Sequence, residues 1–123
     1  MPAEKRRLLI VDDDPDLLLA LRDRMEWFGF RVMTVSNARD AVEEVKRGGY
    51  ALVMMDFKMP GMDGIEALRL IRQIQPRTPV IMMTSSEGAA IASLSEGAKA
   101  YVLKPFEWDS LKETVYRWSI PGA

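Results

Sequence analysis

Leu8-Leu9-Ile10-Val11-Asp12-Asp13-Asp14-Pro15 is the stretch on which the fold turns: four apolar residues in a row stop abruptly on acid. An apolar run this short, without polar alternation, fits a strand buried on both faces, the kind found in parallel sheets. The same pattern recurs along the chain. Ala51 to Met55 stop at Asp56, Val80 to Met83 stop at Thr84, and Tyr101 to Leu103 stop at Lys104. Phe30 to Val35 differs, because Arg31 and Thr34 interrupt its apolar residues as they would in an edge strand.

Helical signals fill the intervals. Asp14 is placed to cap a helix with Pro15 at its first position, and Leu17, Leu18, Leu21, Met25 and Phe28 then recur at helical spacing before Gly29. Asn37 starts a second helix with Ala41, Val42 and Val45 inward, closed by Gly48-Gly49. A third runs from about Asp63 to Ile74 with Ile65, Leu68 and Ile71 inward, after a turn at Lys58 to Gly64. A fourth, from about Glu87 to Glu96, is expected to turn Ile91 and Leu94 inward, and a fifth from Glu107 to about Trp118 carries Leu111, Val115 and Trp118 on one side. Strands alternating with helices in this way predict an α/β fold, a parallel sheet with helices on both faces, whose ligands bind beyond the carboxyl ends of the strands. With no linker, repeat or low-complexity segment, residues 1–123 are expected to form a single domain with its core at 7–118. Residues 119–123 read as a tail or the start of a removed linker.

Composition narrows the chemistry. The chain has no cysteine and no histidine, which removes disulfides, thiol nucleophiles, the commonest general base and any Ser-His-Asp triad. Seventeen basic residues against eighteen acidic ones give a net charge of −1, no basis for broad attraction to nucleic acid or membrane. No apolar run approaches the roughly 20 residues of a membrane span, no signal-peptide core is present, and a cytoplasmic location is the default expectation.

The residues at the strand ends are specific. Asp12-Asp13, Asp56, Thr84 and Lys104 would gather three carboxylates, a hydroxyl and an ammonium at one sheet edge. Three carboxylates alone would repel one another and raise each other's pKa values. A hard divalent cation relieves that, and Mg²⁺ favours one or two carboxylates plus waters and phosphate oxygens. With Lys104 and such a cation the formal charges cancel. A phosphoryl dianion in place of the Asp56 charge leaves a single negative excess, so the site can hold an acyl phosphate, and a carboxylate is an accepted phosphoryl acceptor. Each residue alone has a plainer reading: an acidic cap run at Asp12 to Asp16, a turn at Asp56, a strand-end hydroxyl at Thr84, a solvated turn at Lys104-Pro105. Their coincidence at one end of the strands outweighs those readings.

In Ile10-Val11-Asp12-Asp13-Asp14, Met55 to Gly64, Met83-Thr84-Ser85 and Tyr101 to Phe106, the chain resembles a receiver domain of two-component response regulators, over essentially residues 7–118. The resemblance implies a flavodoxin-like, doubly wound (βα)5 fold with a five-stranded parallel sheet of order 2-1-3-4-5. It implies that Asp56 takes a phosphoryl group from a sensor histidine kinase or phosphotransfer protein, so that the domain is a phospho-acceptor switch rather than a classical enzyme. Asp13, Asp56 and the backbone carbonyl of Lys58 would hold Mg²⁺ (or Mn²⁺), with Asp12 helping through water. Lys104 would pair with a phosphoryl oxygen, Thr84 would swing inward to another, and Tyr101 would change rotamer with it. Pro105 would follow a cis bond. The usual output surface falls at about residues 87–118, for a protein partner or an attached output domain. A homodimer is left open, and neither nucleic acid nor membrane is expected to bind this domain directly. Trp108, Tyr116 and Trp118 on that stretch read as core or half-buried rather than as a partner groove.

Three features set the chain apart within that resemblance. Lys58 stands beside the phosphoryl position, where it would contact the group or point to solvent. Thr84 to Lys104 spans 20 positions, about two fewer than the family's usual, which would shorten the loop or the start of the fourth helix. Ser85 and Ser86 are small and should leave the site open. Among competing readings, Asp12 and Asp14 superficially match the Asp-x-Asp of haloacid-dehalogenase-type phosphatases. Asp16 stands where those carry Thr or Val, and no cap insertion is present. An interaction module with a relict pocket is the second alternative, and a flavodoxin-like cofactor binder, which would need a phosphate loop after the first strand, is the third.

Overall fold

The computed structural model describes residues 6–59 and 61–120. Ten elements alternate strictly: β1 (Arg7–Val11), α1 (Pro15–Trp27), β2 (Arg31–Val35), α2 (Ala38–Arg47), β3 (Leu52–Asp56), α3 (Gly64–Ile74), β4 (Val80–Thr84), α4 (Glu87–Ser95), β5 (Ala100–Leu103) and α5 (Trp108–Ser119). The five strands form one parallel sheet in the order β2-β1-β3-β4-β5.

Strand side chains alternate between the faces, and both faces are apolar. Leu8, Ile10, Leu52, Met54, Ile81 and Met83 meet Leu18, Leu21 and Met25 of α1 and Leu111 and Val115 of α5. On the other face Leu9, Val11, Val53, Met55 and Met82 meet Ala41, Val42 and Val45 of α2 and Ala67, Leu68 and Ile71 of α3. Burying each large aliphatic side chain contributes about 1.5–3 kcal/mol, so these two layers hold the sheet. Caps match the chain's local chemistry. Asp14 accepts from the N–H groups of Asp16 and Leu17, Asn37 from Asp40, Asp63 from Glu66, and Ser86 from Ala89.

Several expectations need correction. Asp56 and Thr84 are the last residues of their strands rather than the first beyond them. Gly64 is not in the preceding turn but opens α3, where a Cβ would lie 2.5 Å from the Phe57 carbonyl oxygen and 3.1 Å from Met82 Cε. Only glycine lets α3 start this close to the chain leaving β3. Ile65 is half-buried, and Ala67 occupies the core position instead. On α4 the inward residues are Ala90 and Ser93, while Ile91 and Leu94 are 56% and 41% exposed. Ser119, read as tail, belongs to α5 and is buried. Pro60 and residues 121–123 lie outside the described residues.

Candidate functional site

The strand order places the site. β1 lies between β2 and β3, so the chain runs outward one way after β1 and the other way after β3. Open α/β sheets form their crevice at such a switch point, beyond the strands' carboxyl ends. Val11 pairs with Met55, so Asp12 emerges level with Asp56. Thr84 pairs with Leu103, so Lys104 follows one step beyond the β4 terminus. The Lys104–Pro105 bond is cis.

Asp12 and Asp56 are buried, whereas Asp13 is exposed, and carboxylate oxygens of the three lie within 4.8 Å of one another. The Lys104 ammonium bridges the two buried acids, at 3.0 Å from Asp12 Oδ2 and 3.2 Å from Asp56 Oδ1. Asp12 Oδ1 accepts from the Asp14 N–H at 2.9 Å, so both of its oxygens are engaged. Burial pushes the Asp56 carboxyl up from its ordinary value, and the facing Asp12 charge adds to that, against the pull of Lys104. Burial alone would lower Lys104, but its bonds to and attraction by Asp12 and then Asp56 outweigh this and leave it raised. The ammonium therefore stays charged while the Asp56 proton is comparatively easy to retain.

All the donors are hard oxygens, and one of the carboxylates faces solvent. That set fits a small divalent cation that keeps some of its waters, and it does not fit a soft transition metal. A shallow cavity of about 360 Å³ opens beside it, lined by Asp13, Phe57, Lys58, Met59 and Asp63. Lys58 is exposed and, among the described residues, makes no hydrogen bond or ion pair.

Thr84, Tyr101, Ser85 and Ser86 are near in the chain order of the site but not bonded to the carboxylates among the described residues. Thr84 Oγ1 is buried and accepts from the Ser86 N–H at 3.0 Å. Ser85 and Ser86 are exposed, and together they form the whole β4–α4 connection. Tyr101 is half-buried on β5 and lines a cavity of about 290 Å³ with Leu103, Phe106 and Thr114. Trp108, Tyr116 and Trp118 are half-buried; the Arg24 guanidinium lies 4.8 Å from the Trp108 ring, and the Tyr116 hydroxyl donates to the Phe28 carbonyl. Gly64 is the structural residue of the site whose role the sequence did not reveal. A glycine opening a helix against its low propensity was the available signal.

A 2-1-3-4-5 sheet with three acids and a bridging lysine at its switch point is the arrangement that the receiver-domain resemblance implied. The chain belongs to the response regulator receiver domain family, whose model matches residues 8–116. Its relatives include the regulatory protein AtoC of Escherichia coli, 39% identical over 113 residues, covering 90% of this chain and 24% of that protein. Another is the transcriptional regulatory protein YkoG of Bacillus subtilis, 36% identical over 110 residues, covering 88% of this chain and 48% of that one. The transcriptional regulatory protein ZraR of Klebsiella oxytoca is 37% identical over 117 residues, covering 94% of this chain and 26% of the relative. The chain thus spans from about a quarter to about half the length of these curated relatives.

Among solved structures, a CheY-like receiver domain protein of Methanospirillum hungatei superposes with a TM-score of 0.88 at 30% identity, covering 94% of each chain. The receiver domain of sensor histidine kinase PA1611 of Pseudomonas aeruginosa, described with a magnesium ion in its active-site cleft, gives 0.87 at 29% identity, covering 94% of this chain and 98% of its own. Among the described residues, no helix is long and apolar enough to cross a membrane.

Proposed function

We propose that Asp56 is the phosphoryl acceptor of this receiver domain and that Mg²⁺, or Mn²⁺ in its place, is its cofactor. The observation that carries this reading is the approach of Asp12, Asp13 and Asp56 to within 4.8 Å with Lys104 bridging the buried pair. Asp13, Asp56 and the Lys58 carbonyl would hold the ion, and Asp12 would contribute through water. When bound, the ion offsets the charge that builds on the transferred phosphoryl group. An Asp56 carboxylate oxygen attacks phosphorus, and the bond from phosphorus to the donor breaks, leaving the donor's electron pair on a histidine kinase or phosphotransfer protein. Lys104 then exchanges its bond to Asp56 for one to a phosphoryl oxygen. Thr84 releases the Ser86 N–H and turns its hydroxyl inward, and Tyr101 follows. Ser85 and Ser86 modulate access, and Lys58 modulates the lifetime of the product.

The output surface is residues 87–118, where Ile91, Leu94 and Leu103 are exposed. Through it the domain controls a protein partner, a second copy or an attached output domain, in the cytoplasm. The receiver unit is the single domain of residues 7–118 plus Ser119. An Asp12-based phosphatase fits less well, since both Asp12 oxygens are engaged by Asp14 and Lys104.

The test is a Mg²⁺ titration followed by tryptophan fluorescence, repeated with beryllofluoride. Saturable binding at millimolar Mg²⁺, lost in Asp13→Ala and Asp56→Ala, agrees with the proposal. No binding of either the ion or beryllofluoride would leave only a relict pocket.

A further inference from the structure

Asp12, Asp13 and Asp56 gather at the carboxyl ends of the strands, and a group of cations stands at the opposite ends, with Arg6 and Arg7 at β1, Arg31 opening β2, Arg77 ahead of β4 and Lys99 ahead of β5. Part of this has an ordinary cause. Arg24, Lys46, Arg47, Arg72 and Arg117 stand in the last turns of their helices, where cations offset the dipole. Arg77 and Lys99 are not in helices, are exposed, and have no ion-pair partner among the described residues.

Between them lies a cavity of about 610 Å³, lined by Arg77, Thr78, Lys99, Tyr50, Trp118 and Ser119 among others, with no carboxylate in its wall. Small-ligand sites run to about 300–1,000 Å³ and combine apolar or aromatic walls with a few convergent polar groups. Further positive charge stands behind the wall. Arg6 donates to Ser119 Oγ at 3.4 Å, and the Arg7 guanidinium stacks 4.5 Å from the Tyr50 ring. The nearest acid in this network, Glu44, is occupied. It accepts from the Tyr50 hydroxyl at 2.6 Å and pairs with Arg47 at 3.0 Å. Trp118 is half-buried, with the Arg117 guanidinium 5.3 Å from its ring centroid.

We propose that this cavity is a second ligand site, for a nucleotide, with the phosphates held by Arg77 and Lys99 and the base stacked on Trp118. An anion would gain charge-assisted hydrogen bonds from two cations that make none among the described residues, and a flat ring would gain stacking on the Trp118 indole. Thr78 supplies a hydroxyl for a phosphate or ribose oxygen. The site is about 16 Å from the acidic pocket, the length of a five-residue strand. It needs no metal at that pocket, and it does not depend on the acceptor role of Asp56.

The experiment is calorimetric titration of the full chain with ADP in EDTA, with adenosine and pyrophosphate as separate arms. Saturable one-site binding of ADP is expected, tighter than either fragment. Arg77→Ala/Lys99→Ala, two exposed positions, should weaken it by about tenfold or more. Asp56→Asn should leave it unchanged. Absence of saturable binding at millimolar ADP would overturn the proposal, and so would wild-type affinity in the double variant with its circular dichroism intact. Pyrophosphate binding as tightly as ADP would refute the base-stacking part and with it the nucleotide assignment.

Discussion

β3 and β5 end at the same site, but one is buried at all five of its residues while β5 is half-buried at three and exposed at Leu103. Their neighbouring helices differ in the same way: α3 buries Gly64, Ala67, Leu68 and Ile71, while α4 buries only Ala90 and Ser93. Asp56 is therefore fixed on the stiff side, and Lys104 and Thr84 lead into a side with less apolar burial than that of β3 and α3. Local opening free energies follow buried apolar contact, so the difference separates a rigid scaffold for chemistry from an element able to move. A site built wholly from strands like β3 would bind phosphate without passing the change on.

Substitutions can break this contrast. The largest effect is expected from Leu52→Ala, in the middle of the core, which should cost about 2–5 kcal/mol in urea unfolding. Gly64→Ala should cost about 1–3 kcal/mol by pushing α3 off the Phe57 carbonyl, again on the stiff side. Lys104→Met should cost about 1–3 kcal/mol near neutral pH, because Asp12 and Asp56 are left facing each other, and added Mg²⁺ should restore most of it.

The pH dependence sharpens the same point. The folded protein holds the Asp56 proton more tightly than the unfolded chain does. Stability in EDTA should therefore fall as pH rises from the ordinary carboxylate value through the raised one, while Mg²⁺ affinity rises over the same window. Paired urea titrations with EDTA and with Mg²⁺ read both slopes. Smallest of all, Ile91→Ala on α4 should change stability by no more than about 0.5 kcal/mol, since its side chain is mostly in water.

The same asymmetry governs what could be read from the sequence. Apolar runs ending on a polar residue, Asp12, Asp56 or Thr84, located β1, β3 and β4 because strands buried on both faces have no polar alternation. The caps at Asp14 and Asn37 were legible because their chemistry is local. Ile91 and Leu94 misled, since α4 packs through the small residues Ala90 and Ser93 and leaves its large ones outside. Hydrophobicity marks an inward face only where the face is wide enough to hold it. The acidic trio and Lys104 were legible as chemistry at strand ends, whereas the Lys104 bridge and the Thr84 bond to Ser86 depend on register and side-chain geometry.

The central claim concerns one carboxylate, and covalent labelling tests it most directly. Incubation with acetyl phosphate and Mg²⁺, followed by peptide mapping by mass spectrometry, should place one phosphoryl group on Asp56. Asp56→Asn should carry none, and Asp12→Ala should still be labelled at Asp56, more slowly. Label on Asp12, or full labelling of the Asp56→Asn protein, would contradict the account.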